Sequence, residues 1–345
     1  MKLNDLFLQA VKQKASDIHL ITDLPPTLRI NGRLSYVGKD KLTEKEIETL
    51  IRGILDERQM EIYLRDKELD VSYEVEGFAR FRVNLHWERG AMSLAARIIS
   101  DTIPTFEDLL MPEVVYDLTR QAQGLIIVTG PTGSGKSTTL ASMINLINEE
   151  RRSSIITLED PVEFIFKPKN SIIRQRQLNT DMLSFDQGLK HILRQDPDVV
   201  MVGEMRDLET IAATITLAET GHLVLATLHT FSAAQTVDRI IDIFPPHQQN
   251  QVRLQLSMTL TGIISQRLLP SVDETLLASR EILINTPAVA NLIRESKVAQ
   301  IKTAIQTGAE DGMITMDQDL KNLYKKNKIT RKVAEAALMN AEVLG

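Results

Sequence analysis

The stretch Gly130-Pro131-Thr132-Gly133-Ser134-Gly135-Lys136-Ser137 decides the fold of the chain around it. An apolar run, Leu125–Val128, precedes it, and apolar residues at helical spacing follow it as far as Glu150. The run has the length of a buried strand, and the later spacing is that of an amphipathic helix. Because the stretch also fits the pattern G-x-x-x-x-G-K-[ST], the sequence predicts a strand, a phosphate-binding loop and a helix in that order.

The chemistry of this loop follows from its residue types. Its glycines let backbone N–H groups turn inward at a helix N-terminus, which already favours anions. Lys136 is expected to reach the β- and γ-phosphates of ATP, and the Ser137 hydroxyl is expected to bind Mg²⁺. The predicted nucleotide-binding residues are Gly130, Pro131, Thr132, Gly133, Ser134, Gly135, Lys136, Ser137 and Thr138.

The chain after the loop alternates between apolar runs and helical segments. Ile155–Leu158, Val199–Val202 and Leu223–Thr227 are three further strand-sized apolar runs. This alternation indicates an α/β domain with a parallel sheet that helices cover on both faces. From about residue 246 the pattern predicts helix to the end of the chain.

The first hundred residues have a different pattern, typical of an α+β domain. Asn31-Gly32 between two alternating runs predicts a β-hairpin, and Thr43 followed by Glu46 predicts a capping box that opens a helix. We therefore predict a domain at 1–99, a linker at 100–112 and an ATPase domain at 113–345. Within the last, about 270–345 is predicted to be a helical C-terminal subdomain.

Two of the predicted strands end in acidic residues. Ile155–Leu158 leads into Glu159-Asp160-Pro161-Val162-Glu163, and Glu163 is the candidate general base. Acids at the carboxyl end of a parallel strand face the crevice where ligands bind. The alternative is an acidic turn that is solvated at the sheet edge.

The run Val199–Val202 leads into Gly203-Glu204, where many P-loop enzymes have a metal-binding aspartate in place of the glycine. Glu204 is therefore the candidate metal ligand, through a water molecule, and a purely structural role is the alternative. For Arg206 and Asp207, a salt link at the start of a helix is the favoured interpretation.

Two histidines bracket the run Leu223–Thr227. His222 and His229 lack the spacing of a metal site, and the chain contains no cysteine. A neutral histidine here can hydrogen-bond to a phosphate or a catalytic acid and sense the γ-phosphate. Two polar residues with satisfied hydrogen bonds at strand ends remain the other interpretation.

Composition excludes some classes of protein and partner. The 345 residues are 43% hydrophobic and 25% charged, and 40 basic against 46 acidic residues give a net charge of −6. The acidic balance argues against a nucleic-acid partner, and the basic stretch Lys325–Lys332 is better explained as a solvated helix face. No run is long enough to span a bilayer and the N-terminus does not resemble a signal peptide, so we expect a cytoplasmic protein.

Taken together, these segments resemble the type II/IV secretion ATPase superfamily over nearly the whole chain. The P-loop, the acidic box Leu158–Phe164, the Gly203-Glu204 pair and the histidine box Thr220–Thr230 are similar to its four motifs in order and spacing. Ala15–Leu20 and Arg29–Gly32 resemble the family's N-terminal PAS-like domain. The resemblance implies a PAS-like domain followed by a RecA-like ATPase domain in a homohexameric ring.

Within that superfamily the chain looks most like the retraction ATPases of type IV pili. It starts almost directly at the PAS-like segment, has no cysteines for a zinc insert, and carries Ala288–Glu295, which is similar to a motif of the retraction family. It departs from that motif at Val289 and Ala290. Pilus-extension and type II secretion ATPases are the nearest alternative, and a nucleic-acid translocase is a more distant one.

The resemblance also implies roles for individual residues. Glu163 matches the family's catalytic glutamate, Glu204 its Walker B acid, and Arg82 and Arg97 its N-terminal arginines that reach the γ-phosphate. The plain alternative for each arginine is a pair with a surface acid. The implied partners are copies of the same chain, a platform protein of the inner membrane at its cytoplasmic face, and a paralogous retraction ATPase.

Overall fold

The computed structural model describes residues 2–30, 32–75, 78–99, 102–273 and 275–338. The chain divides into two compact units. The first comprises residues 1–102 together with 161–165, and the second comprises 103–160 together with 166–345.

The first unit is an α+β unit built on one antiparallel sheet. Its elements are α1 (Leu3–Lys12), β1 (Ala15–Leu20), β2 (Thr27–Ile30), β3 (Arg33–Tyr36), α2 (Glu44–Arg52), α3 (Glu57–Asp66), β4 (Glu68–Val75), β5 (Ala79–Glu88) and β6 (Ala91–Ile99). The strand order is β3-β2-β1-β6-β5-β4, and every neighbouring pair is antiparallel. The helices pack their apolar sides on the sheet, where Phe7, Tyr63 and Phe81 are fully buried.

Local sequence signals explain two features of this unit. Thr43 caps α2 and forms the predicted capping box with Glu46, so the prediction of a helix there is confirmed. In the predicted hairpin, Ile30 of β2 is opposite Arg33 of β3, and Gly32 has a φ of +78°, which glycine adopts without strain. Asn31 itself lies outside the described residues.

The second unit contains the remaining helices and strands. They are α4 (Glu113–Thr119), β7 (Gly124–Thr129), α5 (Lys136–Glu150), β8 (Ser154–Glu159), β9 (Ile172–Gln177), α6 (Phe185–Ile192), β10 (Val199–Val202), α7 (Leu208–Glu219), β11 (Leu223–Leu228), α8 (Ala233–Asp242), α9 (Pro246–Thr259), β12 (Leu260–Pro270), β13 (Leu276–Ile284), α10 (Pro287–Arg294), α11 (Ile301–Thr307), α12 (Met316–Lys325) and α13 (Arg331–Ala337).

A seven-stranded sheet organises this unit, in the order β13-β12-β7-β11-β10-β8-β9. All neighbouring strands are parallel except β12 and β13, which are antiparallel. All the residues of β7, β10 and β11 are buried, as their continuous apolar runs require in a sheet that is covered on both faces. The predicted parallel α/β sheet is confirmed, and the carboxyl ends of its six parallel strands lie at one edge.

The prediction of helix from about residue 246 to the end, including a helical subdomain at about 270–345, is wrong for residues 260–270 and 276–284. Those residues form β12 and β13. β12 hydrogen-bonds to β7, which lies far earlier in the chain, and its apolar residues fill the core beside that strand. A short apolar run fits helix or strand equally well, so this distant pairing, which no local pattern contains, decided the outcome.

The segment predicted as a linker, 100–112, belongs largely to the second unit, which begins at residue 103. Phe106 and Met111 are buried, and Phe106 contacts the ring of Tyr116 edge-on. These apolar side chains explain why the segment packs on the second unit without forming a regular element.

Candidate functional site

The phosphate loop joins β7 to α5 at the carboxyl edge of the seven-stranded sheet. Gly133 and Gly135 have φ values of +77° and +83°, a region that favours glycine. At Gly130 a Cβ atom would lie 2.3 Å from the backbone oxygen of Gln266, so only glycine fits there. The loop opens at the N-terminus of a 15-residue helix, where unpaired N–H groups attract anions.

Lys136 is held at the base of this loop. Its Nζ donates to the carbonyl oxygens of Gly130 at 2.8 Å and Pro131 at 3.1 Å, and lies 3.4 Å from Nδ1 of His229. The residue is only 9% exposed. A buried ammonium group needs such acceptors, and phosphate oxygens can replace them. The lysine is therefore already at the place where an anion would bind.

Glu204 follows β10 at the same edge of the sheet, next to Gly203. Its Oε1 lies 2.9 Å from Nε2 of His229, and its Oε2 accepts from Nε of Arg206 at 2.8 Å. The hydrogen bond and the charge of Glu204 hold the pKa of Arg206 above its ordinary value, against the effect of burial. The structure thus brings the predicted residues Lys136, Glu204 and His229 together within the second unit.

His229 is the bridge in this arrangement. If its Nε2–H donates to the Glu204 carboxylate, its Nδ1 is free to accept from the ammonium of Lys136, which is the pattern of a neutral ring. The backbone around it is fixed: Met205 N donates to Thr227 O at 3.0 Å, and the Thr227 hydroxyl donates to Gly203 O. The ends of β10 and β11 are therefore tied to each other.

His222 occupies a different place, at the amino end of β11. Its Nδ1 lies 3.0 Å from both the Thr220 hydroxyl and the Leu217 carbonyl. The six residues of β11 separate it from His229, a distance of about 20 Å at the rise of a β-strand. Within one chain the two histidines do not share a site, and His222 has the satisfied hydrogen bonds of a polar residue at a strand end.

The acidic residues at the end of β8 and just after it have separate roles. Glu159 is buried and its Oε1 accepts from the Thr157 hydroxyl at 2.6 Å and from Nε2 of Gln175 at 3.0 Å. Asp160 pairs with Arg206 at 3.3 Å. Glu163 is exposed and lies in the stretch 161–165 that groups with the first unit. Its role as the general base stays a prediction.

Arg206 and Asp207 also separate. Asp207 caps α7, since its carboxylate accepts from the backbone N–H of Thr210 at 2.8 Å. Arg206 instead pairs with Glu204 and Asp160, which follow two neighbouring strands. Asp207 thus lies at a helix start as predicted but caps it through a backbone hydrogen bond, whereas the ion pairs of Arg206 place that residue in the candidate site.

Arg82 and Arg97 face each other across β5 and β6 of the first unit. Arg97 donates from Nε to Asp17 at 2.9 Å, and Asp17 is opposite it on β1. Burial acts to raise the pKa of Asp17, but hydrogen bonds from Ser16 and Arg97 outweigh it and the pKa is lowered. The structure shows an acid partner for Arg97, and a role for both arginines at the γ-phosphate stays a prediction.

A cavity of about 340 Å³ opens beside the start of α5. Its lining includes residues Gly135, Thr138, Thr139, Gln266, Leu268 and Arg280. Arg280 is 3% exposed; burial lowers its pKa to about 10, and its guanidinium donates to Leu109 O at 3.1 Å. The lining combines leucine side chains with polar and charged groups, so the cavity offers both apolar surface and hydrogen-bonding groups to a small molecule.

Sequence reasoning misses Gln266 and Arg280. Both lie on β12 and β13, in the region that local patterns assign to helix. The signal available was a polar residue within an apolar run, Ser265-Gln266-Arg267 between Ile264 and Leu268. A buried polar residue requires a partner, so such an interruption indicates a site.

Among the described residues, no helix combines the length and apolar character needed to cross a bilayer.

Comparison with known proteins gives consistent matches over the whole chain. The family model described as Type II/IV secretion system protein matches residues 1–342. The type IV pilus retraction ATPase PilT of Pseudomonas aeruginosa is 45% identical over 334 residues, which cover 97% of each chain. A twitching motility protein of Neisseria gonorrhoeae is 45% identical and covers 92% of this chain and 85% of its own.

A solved structure agrees with the sequence matches. A crystal structure of the pilus retraction motor PilT with bound ADP has a TM-score of 0.93 and 43% identity. The alignment covers 99% of this chain and 98% of that one. The α/β architecture described above is thus that of a nucleotide-binding relative.

Proposed function

Because this chain belongs to the type II/IV secretion system protein family, we propose that it is an ATP-hydrolysing motor that powers retraction of type IV pili and twitching motility. The observation that carries the proposal is one cluster at the sheet edge, in which His229 joins Lys136 of the phosphate loop to Glu204. Phosphate binding and hydrolysis both need charged groups at that position.

The phosphates of ATP would lie in the loop and against Lys136. Two observations support this: the glycine positions have the backbone needed to turn N–H groups inward, and the Ser134 hydroxyl is buried without a partner among the described residues. Beyond the loop, the cavity beside Thr138 and Thr139 has room for the nucleoside. Charge-assisted hydrogen bonds from Lys136 supply much of the affinity for phosphate.

Ser137 and Glu204 are the residues that we assign to Mg²⁺. A hydroxyl and a carboxylate are the hard oxygen donors that this ion prefers. Both Glu204 oxygens already have partners in Arg206 and His229, so the carboxylate would hold the ion through a water molecule. When bound, the ion neutralises charge on the β- and γ-phosphate oxygens.

For hydrolysis we assign Glu163 to the attacking water and Arg82 and Arg97 to the γ-phosphate. The support is the match of these residues to the motifs of the retraction family. An arginine at a transferring phosphoryl group is worth roughly 10³–10⁵ in turnover. His229 would orient Glu204 and respond to the γ-phosphate through its contact with Lys136. His222 would act away from this cluster, at the other edge of the sheet.

The assembled protein would be a homohexamer in which the first unit is the PAS-like domain and the second is the RecA-like domain. It would act at the cytoplasmic face of the inner membrane, on a pilus platform protein, with a paralogous retraction ATPase as a further candidate partner. Similarity over 97% of the P. aeruginosa PilT chain supports a common mode of action.

The deciding experiment counts surface pili in cells whose only copy carries Glu204→Ala. Glu209→Ala, an exposed acid five residues later on α7, is the matched control. We expect more pili and no twitching with Glu204→Ala, and ordinary pili with the control. Bald cells would instead identify an extension motor.

Unchanged pili in the Glu204→Ala cells would indicate secretion or nucleic-acid translocation. ATP turnover that single-stranded DNA stimulates in a salt-sensitive manner would favour the latter.

A further inference from the structure

We infer that Gln266 on β12 is a positioning residue that orients the phosphate loop for nucleotide binding. Gln266 is 1% exposed and lies between the loop and the first turn of α5. The inference rests on the ATP-binding step of the proposed function. It adds a residue outside the P-loop pattern to the binding machinery.

Both ends of the Gln266 side chain are engaged. Its Nε2 donates to the backbone oxygen of Ser134 at 2.6 Å, and its Oε1 accepts from the Thr139 hydroxyl at 3.0 Å. A carbonyl oxygen can only accept, so the donor end of the amide must face Ser134. The two contacts therefore determine the orientation of the side-chain amide.

The contact with Ser134 controls the next N–H group in the loop. In a trans peptide the C=O of one residue and the N–H of the next point in opposite directions. By holding the Ser134 oxygen on its own side, Gln266 turns the Gly135 N–H away from β12. A loop that directs N–H groups at an anion must turn its carbonyls outward, and a buried carbonyl needs a donor.

The backbone of Gln266 also defines the start of the loop. The backbone oxygen of Gln266 approaches Gly130 so closely that a Cβ atom at position 130 would lie only 2.3 Å from it. The preceding residue, Ser265, pairs with Thr129 in the parallel register of β12 and β7. Gln266 thus contacts both Gly130, the first glycine of the loop, and the peptide group that joins Ser134 to Gly135, its last glycine.

The test measures ADP affinity and steady-state kinetics for Gln266→Met, Thr139→Val and Thr119→Val in the full-length protein. Gln266→Met keeps the length of the side chain but removes both hydrogen bonds. We expect the Kd for ADP and the KM for ATP to rise about tenfold or more, because the Ser134 carbonyl loses its donor. The value of kcat at saturating ATP should change less, since a loss of ground-state binding acts on KM.

Two threonine variants separate orientation from general packing. Thr139→Val keeps the donor of Gln266 to the Ser134 carbonyl but alters the lining of the cavity assigned to the nucleoside, so ADP affinity should fall by clearly less than in Gln266→Met. Thr119→Val removes a buried helical hydroxyl that donates to Val115 O, far from the loop in sequence, and should leave affinity unchanged. Melting temperatures of the three nucleotide-free variants show whether each is folded.

The inference is overturned if folded Gln266→Met binds ADP with wild-type affinity, or if Thr139→Val weakens binding equally. Lys136→Ala distinguishes this failure from failure of the proposed function. Should Lys136→Ala bind ADP as wild type does, the phosphate loop is not the nucleotide site. Loss of binding in Lys136→Ala with full binding in Gln266→Met would reject only the role of Gln266.

Discussion

The ring of His229 lies against the carboxylate of Glu204, with Nε2 at 2.9 Å from Oε1. The other ring nitrogen lies 3.4 Å from Nζ of Lys136. One imidazole therefore joins the lysine of the phosphate loop to the acid that follows β10. Lys136 is the first residue of α5, after the loop that follows β7, whereas Glu204 and His229 follow β10 and β11. The three strands are neighbours in the order β7-β11-β10.

This arrangement predicts that Glu204 and His229 act as a unit. We expect His229→Ala to lower ATP turnover by at least about tenfold, because a residue that orients a metal-holding carboxylate contributes about 10–100-fold to metal affinity or activity. The double variant with Glu204→Ala should be little worse than Glu204→Ala alone, since residues in contact are not additive.

His222→Ala is the comparison, because that histidine lies at the other end of β11. The fold-loss of turnover in the double variant of His222→Ala and Glu204→Ala should equal the product of the losses in the two single variants. Turnover measured for the single and double variants decides the matter. If the losses caused by His229→Ala and Glu204→Ala multiply in the double variant, the two residues do not act as a unit and the prediction is wrong.

Lys136 should be essential for nucleotide binding. Lys136→Ala removes a buried cation whose present acceptors are two loop carbonyls and His229. Hydrogen bonds to charged groups contribute about 1.5–3 kcal/mol, so the Kd for ADP should rise at least about tenfold. Titration calorimetry measures it, and Lys190→Ala, whose exposed lysine pairs with Asp186 on α6, should bind as wild type.

Ser137 should determine how much Mg²⁺ the reaction needs. We expect Ser137→Ala to raise the Mg²⁺ concentration that gives half-maximal ATP turnover, because one oxygen ligand is lost. Ser137→Thr keeps a hydroxyl at the same position and should restore the wild-type requirement. Turnover is measured across a magnesium titration, and chelation by EDTA should abolish it. Equal requirements in Ser137→Ala and Ser137→Thr would contradict the assignment.

Asp319 predicts a pH dependence of stability in the second unit. Burial raises its pKa above 3.8, although hydrogen bonds from Arg280 N and the Ser279 hydroxyl and the charges of Arg280 and Lys326 oppose the rise. A raised pKa means that the folded state holds the proton more tightly. The contribution of Asp319 to the free energy of unfolding is therefore present below its pKa in the unfolded state. It is lost as the pH rises through its pKa in the folded state.

The measurement compares the melting temperatures of wild type and Asp319→Asn from about pH 4.5 to about pH 7.5. This whole range lies above the pKa of an aspartate in an unfolded chain, about 3.9. Asparagine can accept the same two hydrogen bonds without carrying a charge. As the pH rises, the melting temperature of Asp319→Asn should increase relative to that of wild type. A difference that shifts towards wild type would show that the charged form is the favoured one in the fold.

Local sequence was sufficient wherever a short stretch contains its own physical cause. The strand before the P-loop and the helix after it, the capping box of Thr43 and Glu46 and the buried runs of β10 and β11 could all be predicted, because each depends on its own neighbours. The acid after each strand could be placed at one edge, since parallel strands bring their carboxyl ends together.

The tertiary structure decided what depends on distant partners. Residues 260–270 form strand β12 because they hydrogen-bond to β7. This pairing brings Gln266 to the Ser134 carbonyl. The same dependence brings His229 to Lys136 and Glu204, which lie far from it in the sequence. Sequence spacing determined which residue types could do the chemistry, and the order of the strands determined which of them meet, because hydrogen bonds between strands join residues that the chain keeps far apart.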